Sequence, residues 1–276
     1  PIDGSGDFDF TRNSSATRVN SQGLIEDMQI LSSNLVSNGD FSQEGSELVT
    51  NGDFSDGSTG WVLFDWSVGD GLVSSGNTST LLRQYNIYTS TTSIYKTTFR
   101  ARSVNGTSVT LRVYDGSGNS YETFTITSSD FQDFTFTRQR AGGGPALYFY
   151  NNSNAEIEIT DVSVREVGQD WTLGTDWSIG NNKATKVAGS TNNGIEQPNI
   201  FANGKKYKLN FTVSDYGGGG LFVYIGQGSQ LVADVTSNGD KEFIFTSTTS
   251  SNKLLLNGNS NFNGSVSNVS VIEITD

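Results

Sequence analysis

Along most of the chain, apolar and polar residues alternate with a period of two. Thr107-Ser-Val-Thr-Leu-Arg-Val-Tyr114, Tyr121-Glu-Thr-Phe-Thr-Ile-Thr127 and Ala155-Glu-Ile-Glu-Ile-Thr-Asp-Val-Ser-Val164 each place their apolar residues on one side of an extended strand. Clusters of Gly, Asn, Asp and Ser separate such runs, as turns do. No apolar stripe of period 3.6 is long enough to predict a helix. Short strands with one wet face predict an all-β fold of antiparallel β-sandwich domains of the jelly-roll kind.

The pattern also repeats. Leu111-Arg-Val-Tyr-Asp-Gly-Ser-Gly118 returns as Leu221-Phe-Val-Tyr-Ile-Gly-Gln-Gly228, and Trp61, Trp66 and Tyr95-Lys-Thr-Thr-Phe99 return as Trp171, Trp177 and Tyr207-Lys-Leu-Asn-Phe211. Asp133-Phe-Thr-Phe-Thr137 matches Glu242-Phe-Ile-Phe-Thr246, and Thr160-Asp-Val-Ser-Val164 matches Ser267-Asn-Val-Ser-Val271. Matches kept in one order at a nearly constant spacing predict two tandem copies of one domain, residues 49–167 and 168–276, after an extended N-terminal arm of residues 1–48. Within that arm, Asn34-Leu-Val-Ser-Asn-Gly-Asp-Phe41 looks like a partial copy of Leu48-Val-Thr-Asn-Gly-Asp-Phe54. The four tryptophans read as core or edge-packing residues.

Composition narrows the function. The 276 residues include no His and no Cys, which removes imidazole bases, thiolate nucleophiles, zinc–thiolate sites and disulfides. A balance of 29 acids against 17 bases disfavours nucleic-acid and anionic-membrane binding. No apolar run approaches the roughly 18 residues of a membrane span, so the chain is expected to be soluble. Ser, Thr and Asn number 37, 29 and 26, yet 17 Phe, 10 Tyr and 4 Trp supply the core that disordered chains lack. The charge is uneven: residues 1–70 carry twelve acids and two bases, while the rest is nearly neutral.

Two resemblances follow. The opening Leu48-Val-Thr-Asn-Gly-Asp-Phe54, then Gly60-Trp61, and the closing Ile159-Thr-Asp161-Val-Ser-Val164 resemble the jelly-roll carbohydrate-binding modules of families 4, 9 and 22, within the galactose-binding-like fold. The second copy lacks an Asn-Gly-Asp-Phe at its start and has Asn268 where the first has Asp161. Separately, Phe8-Asp-Phe-Thr-Arg-Asn-Ser-Ser-Ala-Thr-Arg-Val-Asn20 with Gly23-Leu-Ile-Glu26 is similar to a segment at the start of tailed-phage virion proteins, typically fibre or decoration proteins.

The second resemblance implies a structural protein of the virion surface, on head or tail. Phe8, Phe10, Arg12, Arg18, Leu24 and Ile25 in the arm would dock on other virion proteins, and the chain would form a homo-oligomer, a trimer being one option. The alternative is a secreted bacterial carbohydrate-binding or adhesin module.

The first resemblance implies a structural Ca²⁺ in the first copy, with Asn51, Asp53 and Asp161 at the matching positions. The same residues also read simply as an Asn-Gly turn. Strand alternation puts Arg112, Tyr114, Tyr148 and Tyr150 on one sheet face, a platform on which weak glycan binding is expected; packing alone also favours strand tyrosines. Aligning Asn151 with Asn257 sets Leu254 and Leu256 against Tyr148 and Tyr150, so the second copy is expected to have traded that face for packing. The pairs Arg100 with Arg102 and Arg138 with Arg140 read first as a solvated face with cross-strand ion pairs, the alternative being recognition of an acidic sugar or of a neighbouring chain's carboxylates. No acid pair forms a recognisable glycosidase constellation, and a non-enzymatic role is expected.

Overall fold

A computed structural model describes residues 17–19, 25–27, 30–75, 80–116, 121–140 and 143–275. These residues form strands and turns only. The period-two pattern is realised directly: Val109–Tyr114 and Leu147–Asn151 each bury every second side chain.

Four five-stranded antiparallel sheets pack in two pairs. In the first sandwich one sheet runs Gln132–Gln139, Ile94–Ser103, Ile157–Val167, Leu72–Ser75 and Trp66–Gly69. Its partner runs Val62–Phe64, Thr80–Gln84, Leu147–Asn151, Val109–Tyr114 and Tyr121–Ile126. The second sandwich repeats both, with Asn263–Ile274 central in one sheet and Leu254–Gly258 central in the other. The sheet holding the long last strand is called the closing sheet here, and its partner the face sheet. All four tryptophans are buried, as their recurrence in both copies predicts.

Each closing strand carries a β-bulge. Its register against the neighbouring strand shifts between Thr160 and Ser163 in the first sandwich, and opposite Asn210 to Thr212 in the second. Asp161 (φ 51°) and Asn268 (φ 55°) occupy the left-handed backbone region at these bulges, which short polar side chains tolerate. The bulge turns the amide of the next residue out of the ladder. In the first sandwich that amide, of Val162, donates to the Gly52 carbonyl at 2.9 Å. The approach is so close that a Cβ on residue 52 would stand 1.9 Å from the Val162 carbonyl oxygen. Glycine is therefore required on steric grounds alone.

The surrounding groups lock the turn. Thr50 exchanges two hydrogen bonds with the Gln84 carboxamide, donating at 2.7 Å and accepting at 2.9 Å. The Trp61 indole donates to the Asn51 carbonyl at 3.0 Å, and its ring packs 5.2 Å from Phe54.

The second sandwich has every part of this device, but its opening turn comes from before the first sandwich. Val269 donates to the Gly39 carbonyl at 2.8 Å, and a Cβ at residue 39 would lie 1.9 Å from the Val269 oxygen. Ser37 exchanges two bonds with Gln197, at 2.8 and 2.9 Å. The Trp171 indole donates to the Asn38 carbonyl at 3.0 Å across 133 residues of chain, and Phe41 packs 5.2 Å from its ring.

This corrects the expected organisation. Residues 30–43 are not part of a free arm; Ile30 bridges Ile274, Leu35 donates to Val271, and Val36 and Phe41 lie in the second core. Nor does the second copy lack its Asn-Gly-Asp-Phe, because Asn38 to Phe41 supplies it. The first sandwich is thus inserted into the second. Glu44 bridges Val167 and the Gly45 amide donates to Glu166, so the chain enters and leaves the insert side by side. Ile94 and Val167, at the base of the insert, belong to the second sandwich's apolar cluster.

Gly39→Ala is predicted to remove about 3 kcal/mol from the second sandwich, through forced displacement of the closing strand. Limited proteolysis in a urea gradient, with fragments identified by mass, should show residues 168–275 opening first. Opening confined to the first sandwich, the nearer in sequence, would contradict the nested topology.

Candidate functional site

The outer surface of the first face sheet collects the residues picked out by alternation. Tyr148 pairs in register with Tyr114 on one side and Arg83 on the other, and Tyr150 lies between Arg112 and Leu81. The Tyr114 and Tyr148 rings stack 4.9 Å apart at 4°. The Arg83 guanidinium lies 6.0 Å from the Tyr148 ring centroid, 4.7 Å from Tyr85 and 5.2 Å from Phe64. A strip therefore runs from Phe64 and Tyr85 through Arg83 to the stacked tyrosines. Tyr148 has one ring face on Tyr114 and Arg83 near the ring, so it offers mainly its edge and hydroxyl. The open rings are Phe64 and Tyr85, 49% and 48% exposed.

The structure thus gathers Arg112, Tyr114, Tyr148 and Tyr150 on one face and adds Arg83, Phe64 and Tyr85. Arg83 and Tyr85 carried a sequence signal: in Thr80-Leu-Leu-Arg-Gln-Tyr85, residues 80, 82 and 84 turn inward, so 81, 83 and 85 turn out. What the sequence lacks is the strand pairing that brings them to the tyrosines. Burial holds the Tyr114 hydroxyl above its ordinary pKa, and repulsion from ionised Tyr148 and Tyr150 adds to this, against the opposing pull of Arg112 and Arg83.

The second face sheet is not the packing surface that the Asn151–Asn257 alignment implies. Leu111 pairs with Asn151 and Leu221 with Gly258, so Gly258 is the true counterpart of Asn151. A one-residue slip exchanges the two faces of a strand. Corrected, Leu254 and Leu256 are buried, and Leu255 and Asn257 face outward in the places of Tyr148 and Tyr150. Phe222 and Tyr224 replace Arg112 and Tyr114, their rings 6.3 Å apart, and Glu196 replaces Arg83.

A cleft of about 490 Å³ opens here, lined among others by Thr172, Glu196, Tyr224, Leu255 and Asn257. Gly194 lines it too; a Cβ there would lie 2.4 Å from the Leu256 oxygen. Behind the sheet, the space left by the Asn151 side chain is filled from the facing closing sheet. Lys186, in the place of Ser75, is fully buried, passes beside Gly258, and ends 3.8 Å from Asp176.

The expected calcium ligands do not fit a metal. The Asn51 carboxamide donates to Gly57 and Thr59 and accepts from the Asp56 amide. Asp53 accepts from the Ser55 amide and hydroxyl, which hold its carboxyl below the usual carboxylate range. The bulge sends Asp161 to the outer surface, 3.3 Å from Arg100. Among the described residues no three acidic groups converge. Arg100 and Arg102 do form the expected cross-strand pairs, with Asp133 and Asp161 and with Glu158. Arg138, by contrast, is buried and points toward the Val113 carbonyl.

Phe8, Phe10, Arg12 and Leu24 lie outside the described residues. Arg18 and Ile25 sit in a short antiparallel ladder, Thr17–Val19 against Ile25–Asp27.

No family model and no curated protein matches the chain. Among solved structures, it is similar to the N-terminal CBM22-1–CBM22-2 tandem domain of Xyn10C from Paenibacillus barcinonensis, at 13% identity and a TM-score of 0.32, covering 84% of this chain and 99% of that one. A family 16 carbohydrate binding module-2 matches at 16% identity and 0.32, over 42% of this chain and 98% of its own. A CBM4 structure matches at 17% and 0.30, over 48% and 99%.

A tyrosine whose folded pKa is raised contributes stability that is complete below its unfolded pKa and is lost as pH rises through the folded one. Tyr114→Phe is therefore predicted to reduce the alkaline loss of stability of the first sandwich, measured by urea denaturation across that range. An unchanged alkaline profile would contradict the burial assigned to Tyr114.

Proposed function

We propose that the chain binds glycans through the outer surfaces of its two face sheets. The observation that carries this reading is the strip on the first sandwich, where exposed rings, three tyrosines and an arginine share one solvent-facing sheet surface. Sugar rings have apolar faces and polar edges, so a receptor needs open aromatic surface beside hydrogen-bonding groups. Phe64 and Tyr85 supply the first, and Tyr148, Tyr150 and the arginines the second. The second face offers the same ingredients in a cleft, with Tyr224 beside Asn257 and Glu196.

The role we assign is binding without catalysis. Glycoside hydrolysis takes two carboxylates about 5–10 Å apart. The described outward side chains of the first face include no acid; on the second, Glu196 is ion-paired to Lys253 at 2.7 Å and stands three strand spacings, about 14 Å, from Asp234. For the setting, we propose a phage virion surface, on the similarity of Phe8 to Glu26 to the start of virion proteins; a secreted bacterial module accommodates the sandwiches equally well. Detecting the chain by mass spectrometry in purified particles separates the two settings. Many copies on one particle would turn weak single-face affinity into firm attachment.

Tyr148→Ala removes a ring stacked on Tyr114 and beside Arg83. It is predicted to weaken retention on a glycan array about tenfold or more while lowering stability by only about 1 kcal/mol. Full retention by a folded Tyr148→Ala, Tyr150→Ala double variant would remove this face from the binding function.

A further inference from the structure

The two faces carry opposite charge at the same place in the fold. Arg83 and Glu196 occupy equivalent positions, each opposite the central strand of its face sheet, Arg83 beside Tyr148 and Glu196 beside Leu255. Around Arg83 the neighbours are rings, and among the described residues no carboxylate reaches its guanidinium; its buried Nε has no protein partner. None of the described outward side chains of that sheet is acidic. On the second face Glu196 pairs with Lys253, and Asp234 stands exposed in register with Phe222.

A guanidinium stacked among aromatic rings is held in a fixed orientation and partly desolvated, which strengthens its attraction for an anion. The chain as a whole repels anions, with a net charge of −12, so the charge of the first face is not a by-product of a basic protein. Twelve of the 29 acids fall in residues 1–70, and salt screens charges that lie beyond about 10 Å.

We propose that the first face selects anionic glycans, those bearing uronate or sulfate groups, through Arg83, and that the second face excludes them. This rests on the glycan reading of the face and adds the ligand's chemical class. The Arg83 fork takes the anionic group while Phe64 and Tyr85 take the ring that bears it or its neighbour.

The test uses the full chain and matched polymers that differ only in charge. Affinity electrophoresis would compare polygalacturonate with its methyl ester, and carrageenan with its desulfated form. The expected result is about tenfold tighter binding of at least one charged member, falling as salt is raised. Arg83→Gln should abolish the difference and leave binding of the neutral member. Arg100→Gln, which changes net charge equally on the opposite sheet, should leave the difference intact. The uronate and sulfate arms identify which anion is read. Equal binding of charged and neutral members, or a preference that survives Arg83→Gln, overturns the inference and leaves glycan binding standing. Failure of every polymer to bind, extended to the array used for Tyr148→Ala, overturns the glycan reading and this inference with it.

Discussion

A single hydrogen bond, made twice, organises this protein: the carbonyl of an opening glycine accepts the amide that a bulge has turned out of the closing strand. A strand buried at the centre of a sheet has no water to satisfy a displaced amide, and leaving it unpaired costs about 1–3 kcal/mol. Gly52 and Gly39 solve the same problem in the two sandwiches, at nearly the same distance and with the same steric exclusion of a side chain. The glutamine clamp and the tryptophan lid then cover the turn, and the aromatic core closes beneath it. The face sheets are held flat against that core, which is what gives their outer side chains a fixed arrangement.

Because the second glycine precedes the first sandwich, the two units are not beads on a string. The segment Ile30 to Gln43 completes one sandwich before the chain begins the other, and the strands at Glu44 and Val167 then hold the insert's two connections together. Two short connections running in parallel restrict rotation far more than a single linker does.

The strands, the duplication and the buried tryptophans could be read in the sequence because each depends on local alternation or on repeated residues. The nesting could not, although Asn34 to Phe41 was visible as a copy of Leu48 to Phe54: a motif announces a turn and does not say which strand it will cap. The face of the second sandwich failed for a narrower reason. Asn151 and Asn257 look equivalent, but the asparagine's place is taken by Gly258 and its volume by Lys186 of the facing sheet. With a period of two, that single-residue slip inverted the surface. Arg83 was equally hidden, because its meaning comes from Tyr148 and Phe64 on adjacent strands, distant in sequence. The calcium ligands illustrate the converse, since matching residue types were present but the bulge turned Asp161 toward Arg100.

The central claim is that residues 30–43 are an integral part of the second sandwich. Native-state hydrogen exchange of the Val269 amide tests it most directly, because its acceptor is Gly39 and no neighbouring strand. The account predicts that Val269 exchanges only with global opening of the second sandwich, as slowly as Leu209 and Val266, which lie between paired strands of the ladder, and as Val162 does in the first. Rapid exchange at Val269, and at Val271 and Glu273 whose amides donate to Asn34 and Ser32, beside slow exchange at Leu209 and Val266 would mean that the opening segment is not docked there, and would contradict the nested fold.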